Sequence, residues 1–221
     1  GKVLLKTDKS TAQKAFDAAI KINKKDASVY VAIAKAYSMN GMEAEAQAAL
    51  DNAKKYNAND PAIYLYEGDL LISKDKPGDA AGRYEQAIHC KEAYIKYANV
   101  YQGVTPTLSI EMLQKVISNY PDYLPAYCHL GNIYSLQGNY PKAVAAYKTY
   151  MAGGLYSTDN LVHYASALFF NKQYAESGKI ISEGQAIDPE NFLLKSLAIY
   201  HDYESKAYEN GLEEIETFFN N

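Results

Sequence analysis

The sequence lacks the features that would assign it to a class at once. It has no tryptophan, and its two cysteines are too few for a disulfide framework. No apolar run approaches the roughly 18 residues of a membrane-spanning helix, so membrane insertion is not expected. The net charge is −4 and no block of lysine and arginine stands out, which disfavours nucleic acid as a partner. With 48% hydrophobic and 22% charged residues, the chain is expected to fold and to be soluble.

What the sequence does contain is a repeat. Tyr30 and Tyr64 are 34 residues apart, and Tyr127, Leu161 and Lys195 form a second series with the same spacing of 34. After each of the first two tyrosines, small and aromatic residues recur at fixed offsets. A period near 34 is typical of stacked helical hairpins, each too small to bury its apolar face alone.

The repeats can be placed by counting Tyr30 as position 4. Apolar residues then follow at positions 7, 8 and 11 on one helix and at 20, 24 and 27 on a second. Asn40-Gly41 marks the turn between the two, and Asp60-Pro61 predicts the start of the next hairpin. We predict one array over residues 1–221, composed of a partial repeat at 1–25, five repeats at about 27–60, 61–90, 91–123, 124–157 and 158–191, and a degenerate repeat at 192–221. The second repeat is shortened around His89-Cys90-Lys91.

The pattern resembles the tetratricopeptide repeat family. Its signature is an aromatic residue, then Leu-Gly and Tyr on a first helix, and Ala, an aromatic and Ala on a second helix. The fourth repeat follows it best, with Leu130-Gly131, Tyr134, Ala143 and Tyr147. The resemblance implies an all-α, right-handed superhelical solenoid of antiparallel helix hairpins, and a non-catalytic scaffold that binds a peptide segment or helix in its concave groove.

Positions 6 and 9 of the first helices line that groove in the family. Position 9 is polar in every repeat, and Asn99 and Asn132 resemble the asparagine ladders that hold peptides; a merely solvated helix face is the alternative explanation. Most of the 22 tyrosines occupy packing positions, but Tyr66, Tyr200 and Tyr203 are predicted to lie on the groove face. The candidate groove residues are Lys35, Tyr66, Asp69, Lys96, Asn99, His129, Asn132, His163, Ser166 and Tyr200.

Other ligands are disfavoured. The family's clamp for acidic chaperone tails needs a Lys at position 5, and no repeat supplies one. His89-Cys90 and Cys128-His129 mimic two halves of a zinc site, but adjacent helical residues diverge by about 100°, and the two pairs lie in different repeats. His163 and Asp159 are one turn apart without a nucleophile to act on. Phosphate-loop, zinc-protease, serine-hydrolase and dinucleotide motifs are absent, so we expect no enzyme, metal or cofactor.

A second function remains open, namely a structural module that joins subunits or domains through its end helices. Thr11 to Ile22 is predicted to be a second helix without its first, which leaves Phe16 and Ile20 uncovered, and Phe218 and Phe219 are the counterparts at the other end. The alternative explanation of the open ends, which we favour, is that the array is a fragment of a longer chain. The compartment is not fixed by the sequence: cytoplasmic by default, periplasmic or secreted if a leader precedes Gly1.

Overall fold

The computed structural model describes residues 4–87, 90–154, 157–204 and 206, and within these ranges every regular element is a helix. The helices are α1 (Leu4–Thr7), α2 (Lys9–Ile22), α3 (Ala27–Ser38), α4 (Glu43–Tyr56), α5 (Pro61–Ser73), α6 (Pro77–Gln86), α7 (Lys91–Tyr101), α8 (Pro106–Asn119), α9 (Leu124–Leu136), α10 (Tyr140–Met151), α11 (Thr158–Phe170), α12 (Tyr174–Ile187) and α13 (192–204). Helices α3 to α12 form five antiparallel hairpins. The all-α hairpin architecture expected from the period is therefore confirmed.

The helix starts follow local chemistry. Asp26 and Asp60 cap α3 and α5 by accepting hydrogen bonds from the backbone N–H groups of Ser28 and Ala62, and Ser157 caps α11 in the same way. The first helices of the hairpins begin at Ala27, Pro61, Lys91, Leu124 and Thr158, which are the residues at which the predicted repeats begin.

The turn inside a hairpin has a fixed backbone conformation. Gly41 and Gly138 have φ values of 71° and 70°, in the left-handed region that glycine adopts without steric cost. Asp75 and Lys172 take the equivalent place in two other hairpins, with φ values of 57° and 61°. The turn geometry therefore persists where glycine is replaced.

The chain divides into two compact units, an N-unit of residues 1–112 and a C-unit of residues 113–221, with the boundary inside α8. In the N-unit, α3 packs against both α4 and α5, and α6 packs against both α5 and α7. In the C-unit, α9 pairs with α10 and contacts α11, which pairs with α12. Consecutive hairpins thus stack within each unit.

Small residues at position 8 of each first helix form the centre of each hairpin. These residues are all buried: Ala34, Gly68, Ala98, Gly131 and Ala165. Each second helix also buries a small residue near position 20, and in two hairpins that residue is a serine. Ser109 and Ser177 are fully buried and donate hydrogen bonds to the carbonyl oxygens of Ala98 and Ala165, at 2.6 and 2.8 Å. The close approach therefore leaves no polar atom of these serines unpaired.

The third repeat differs from the predicted register. Counting Tyr94 as position 4 puts Ile110 at position 20, but the buried residue is Ser109, one residue earlier. The second helix of that repeat is thus shifted by one residue against the first. The shortening predicted around His89-Cys90-Lys91 includes His89, which lies outside the described residues. Within them, the second helix of this repeat, α6, has 10 residues whereas α4 has 14.

At the N-terminal end, the structure confirms a helix over Thr11 to Ile22 but contradicts the prediction that Phe16 is uncovered. Phe16 is buried, and its ring makes an edge contact with Tyr37 at a centroid distance of 5.3 Å. Ile20 is partly buried against the same cluster. The counterparts Phe218 and Phe219 lie outside the described residues.

Gly131 allows a test of whether position 8 must be occupied by a small residue. A Cβ added there would lie 2.6 to 2.8 Å from three ring atoms of Tyr147, closer than atoms approach without rearrangement. We expect Gly131→Ala to lower the free energy of unfolding by about 1–3 kcal/mol because the ring must move. Chemical denaturation followed by circular dichroism measures this change.

The matched control is Gly82→Ala, in the interior of α6, where an added Cβ meets nothing within 4 Å. Alanine should there stabilise the helix by up to about 1 kcal/mol. Equal effects of the two substitutions would show that helix propensity, rather than the contact with Tyr147, determines the response.

Candidate functional site

The exposed side of the first helices, here called the A-face, carries a charge network in the N-unit. Asp69 of α5 accepts hydrogen bonds from Lys96 of α7 at 2.6 Å and from Lys35 of α3 at 3.4 Å. The network therefore ties the first helices of three consecutive hairpins to one carboxylate. With two lysines and one carboxylate it leaves one positive charge uncompensated.

A buried hydroxyl completes the network. Tyr84 of α6 donates its hydroxyl to Asp69 at 3.0 Å from within the hairpin. Partial burial by itself would raise the pKa of Asp69, but the hydrogen bond and charge of Lys96, the Tyr84 hydroxyl and the charge of Lys35 together hold it below its ordinary value. The same environment, burial first and the neighbouring carboxylate second, raises the pKa of Tyr84. Asp69 is therefore a carboxylate and Tyr84 a neutral donor.

The network borders a cavity of about 270 Å³ between α5 and α7. Its walls are Asp69, Ile72, Tyr84, Lys96, Asn99 and Val100. Three residues predicted from the sequence, Asp69, Lys96 and Asn99, meet here. The lining combines a carboxylate, an ammonium and an amide with two aliphatic side chains. Such a mixed lining suits part of an amphipathic ligand, and the volume lies just below the range of about 300–1,000 Å³ that is common for small-molecule pockets.

The C-unit repeats the tyrosine contact with an amide in place of the carboxylate. Tyr147 of α10 is fully buried and donates its hydroxyl to Oδ1 of Asn132 at 2.7 Å. Burial raises its pKa to about 12. The ring of Tyr147 lies against Gly131, as that of Tyr84 lies against Gly68, so the missing Cβ brings each hydroxyl within reach of position 9.

The sequence contained a signal for this contact that the sequence analysis missed. Glycine occurs at position 8 only in the two hairpins that place a tyrosine against it, Gly68 with Tyr84 and Gly131 with Tyr147. The other three hairpins have alanine at position 8. The covariation of a small residue with a large one across a hairpin could have predicted the pairing.

The remaining position 9 residues have different environments. Asn99 is exposed, Lys35 belongs to the charge network, and Ser166 donates its hydroxyl to the carbonyl oxygen of Val162 within α11. Tyr200 is 47% exposed and its ring lies 5.2 Å from that of Phe169. The polar row is therefore a set of individually engaged side chains rather than a uniform ladder.

The structure contradicts the prediction made for Tyr66. It was predicted to be an exposed groove tyrosine, but only 4% of its surface is exposed and it belongs to the N-unit core. Its hydroxyl points toward the carbonyl oxygen of Ala34 at 3.4 Å, from one hairpin to the preceding one. Tyr66 therefore joins hairpins and is not available to a ligand.

Around Asn132 the C-unit surface is polar and half-buried. Burial lowers the pKa of His129, so its imidazole is neutral at pH 7. Cys128 accepts a hydrogen bond from Nδ2 of Asn160 at 3.3 Å, and Asn160 accepts one from the Ser157 hydroxyl at 2.7 Å. Burial raises the pKa of the Cys128 thiol, which keeps it protonated. His163, one hairpin further, is exposed.

Exposed apolar side chains accompany the polar ones, and the sequence analysis missed them because it considered only positions 6 and 9. They occupy the last turn of a first helix or the residue after it: Met39, Ile72, Leu136 and Phe170, exposed by 54%, 44%, 77% and 50%. Phe170 stacks on Tyr140 with a centroid distance of 5.2 Å. Each unit thus presents apolar side chains on the same helices that carry the polar row.

Among the described residues, no group of three or more His, Cys, Asp or Glu side chains could hold a metal ion. Cys90 and Cys128 are both free thiols. No helix formed by the described residues has the length and apolar character needed to cross a bilayer.

A family model described as "Tetratricopeptide repeat" matches residues 112–145, which include Leu130-Gly131 and Tyr134. The match spans one repeat length of the chain, and the helical-hairpin fold of the described residues is the one that this family has.

Solved tetratricopeptide repeat and related structures share the fold at low sequence identity. PilW, a type IV pilus biogenesis factor, is 16% identical with a TM-score of 0.68, covering 88% of this chain and 92% of its own. PilF of Pseudomonas aeruginosa is 13% identical with a TM-score of 0.68, covering 89% and 92%. YrrB, a tetratricopeptide repeat protein with an unusual peptide-binding site, is 18% identical with a TM-score of 0.56, covering 82% and 96%. No curated protein matches the chain.

The half-buried imidazole of His129 makes stability depend on pH. Its folded pKa lies below its unfolded value of about 6.5, so its contribution is fully present above that pH and is lost as pH falls through the folded pKa. We expect wild-type protein to lose more free energy of unfolding on acidification from about pH 7 to about pH 5 than His129→Gln does. Denaturant titrations at several pH values measure the difference.

The same titrations on His163→Gln, which removes an exposed imidazole, control for the loss of a histidine as such. Parallel pH profiles for wild type and His129→Gln would contradict the assignment of His129 as a half-buried neutral imidazole.

Proposed function

We propose that this tetratricopeptide repeat protein is a non-catalytic scaffold whose A-face binds a segment of another protein. The proposal depends on one observation: Asp69, Lys96 and Asn99, chosen from repeat positions alone, border a single cavity of about 270 Å³ with Ile72 and Val100. The cavity is too small for a drug-sized molecule but can take one side chain of a peptide. An extended segment or a helix could place one residue there and run along the A-face of α3, α5 and α7.

The neighbouring groups support a peptide rather than another ligand class. Asn99 is exposed and can both donate to and accept from a main-chain amide. Ile72 is 44% exposed beside it and offers apolar contact. YrrB, which shares the fold, has a peptide-binding site of its own, and this supports a peptide as the class of ligand.

The experiment is a selection from a phage-displayed library of random peptides on the immobilised protein, followed by calorimetric titration of the enriched peptides. We expect Asn99→Ala to weaken at least one enriched peptide by about tenfold, since a lost interfacial hydrogen bond is worth up to about 1.4 kcal/mol. Asn52→Ala, which removes an exposed asparagine on α4, is the matched control. Peptides that bind wild type, Asn99→Ala and Asn52→Ala equally would place the binding surface elsewhere.

A second function is favoured by α13. Leu194 anchors this helix in the notch of Gly184, where an added Cβ would lie 2.7 Å from its side chain. Ile199, at the position that is buried in the five preceding hairpins, is 74% exposed, as are Phe192 and Tyr203 by 77% and 71%. We propose, as the alternative, that this apolar face joins a second copy of the chain.

Sedimentation velocity at increasing protein concentration tests the alternative. Self-association through α13 predicts a dimer that Ile199→Ser abolishes and that Ile22→Ser, the loss of a 79% exposed isoleucine on α2, leaves in place. A wild-type protein that stays monomeric over the whole concentration range would reject the dimer.

A further inference from the structure

We propose that Tyr147 is a positioning residue that fixes the amide of Asn132 as a hydrogen-bond donor toward a bound segment, so that this part of the A-face selects acceptor groups such as main-chain carbonyl oxygens. The inference rests on the proposed function, because it states what the A-face of the C-unit recognises. It is carried by one contact, the hydroxyl of Tyr147 at 2.7 Å from Oδ1 of Asn132.

The direction of that hydrogen bond follows from the equivalent pair in the N-unit. There Tyr84 contacts Asp69, a carboxylate without a proton to give, so the tyrosine hydroxyl must be the donor. Both tyrosines reach position 9 of their own hairpin across a glycine, Gly68 or Gly131, with the same ring edge turned toward the helix. The repeated geometry therefore assigns Tyr147 as donor and the carbonyl oxygen of Asn132 as acceptor.

The consequence is a polarised side chain. An asparagine side chain has one carbonyl group that accepts and one NH₂ group that donates twice. With its oxygen directed at a fully buried tyrosine, Asn132 turns its NH₂ group away from the hairpin interior, and the residue remains partly exposed. The group offered to a ligand is then a donor, and its natural partner is a carbonyl or carboxylate oxygen.

Two neighbouring polar side chains are already engaged by the protein itself. Asn160 already accepts from Ser157 and donates to Cys128, so both ends of its amide are occupied. Ser166 donates within its own helix. Asn99 in the N-unit differs, because α8 contains no tyrosine that could fix its orientation. The donor character is therefore a property of Asn132 and its tyrosine, not of the polar row as a whole.

The first experiment needs no ligand. Tyr147→Phe keeps the ring that fills the notch at Gly131 and removes only the hydroxyl. We expect the side-chain NH₂ signals of Asn132, identified in a ¹H–¹⁵N correlation spectrum by their absence in Asn132→Ala, to shift in Tyr147→Phe. Tyr174→Phe, which removes a hydroxyl on α12 from a ring that packs against Phe169, should leave them in place. Unchanged Asn132 signals in Tyr147→Phe would overturn the positioning role.

The second experiment uses the peptides enriched in the display selection. We expect Asn132→Asp, which turns a carboxylate oxygen toward the ligand's acceptor, to weaken binding more than Asn132→Ala, and Tyr147→Phe to weaken it by about threefold to tenfold. If the site needed only a side chain of this size, Asn132→Ala would bind the peptides more weakly than Asn132→Asp does. Binding to Asn132→Asp that equals wild type would overturn the donor assignment.

The two experiments separate the inference from the proposed function. A library that yields no peptide rejects peptide binding, whereas the spectrum of Tyr147→Phe still decides whether the tyrosine orients the amide. Peptides whose affinity is unchanged by every substitution at Asn132 and Tyr147 would leave the scaffold proposal intact. They would reject the assignment of Asn132 as a hydrogen-bond donor to the peptide. Thermal unfolding of Tyr147→Phe near the wild-type temperature confirms that the packing survives.

Discussion

The close approach of two helices within each hairpin is the constraint on which the rest of the structure depends. It requires a residue with little or no side chain at position 8, and the five hairpins meet this requirement with alanine or glycine. Where the residue is alanine, aliphatic side chains or serine fill the opposite helix. Where it is glycine, a whole tyrosine ring lies against the bare backbone. Protein interiors are packed at a density close to that of crystals, so a void or a steric overlap between the two helices would lower the free energy of unfolding. The size of the residue at position 8 therefore has to match the size of the side chain that faces it.

The packing of tyrosine against glycine at position 8 also determines which polar groups the A-face exposes. A tyrosine ring that packs against the glycine needs a hydrogen-bond partner for its hydroxyl, since a buried hydroxyl without a partner destabilises the fold. In both hairpins the partner is the side chain at position 9, Asp69 or Asn132. The core residue thereby fixes the orientation of a surface residue. In the N-unit the fixed carboxylate then gathers two lysines from the neighbouring hairpins, so that a packing feature inside one hairpin becomes an electrostatic link across three.

Much of the fold follows from the sequence, because the period and the caps are local signals. Asp26, Asp60 and the glycine turns place the helix starts, and the alternation of small and large residues places the helices against each other. The register of a second helix is less local. Ser109 rather than Ile110 is buried because the spacing between the two helices of the third repeat is one residue shorter. The burial of Tyr66 was not predictable from its position either, because its hydroxyl reaches the preceding hairpin, a contact that a pattern within one repeat does not describe.

The candidate site also combines features that local sequence positions predict with features that depend on contacts from other helices. Asp69, Lys96 and Asn99 could be chosen from repeat positions, since helical geometry puts these positions on one side of the first helix. Which of them are available to a ligand depends on side chains from elsewhere. Asp69 is engaged by three partners, Asn132 by one, and Asn99 is exposed. A position-by-position reading treats the three as equal members of a ladder. The contacts make them a fixed carboxylate, a fixed donor and an adaptable amide, and that inequality gives the A-face chemical specificity where a uniform polar row would have none.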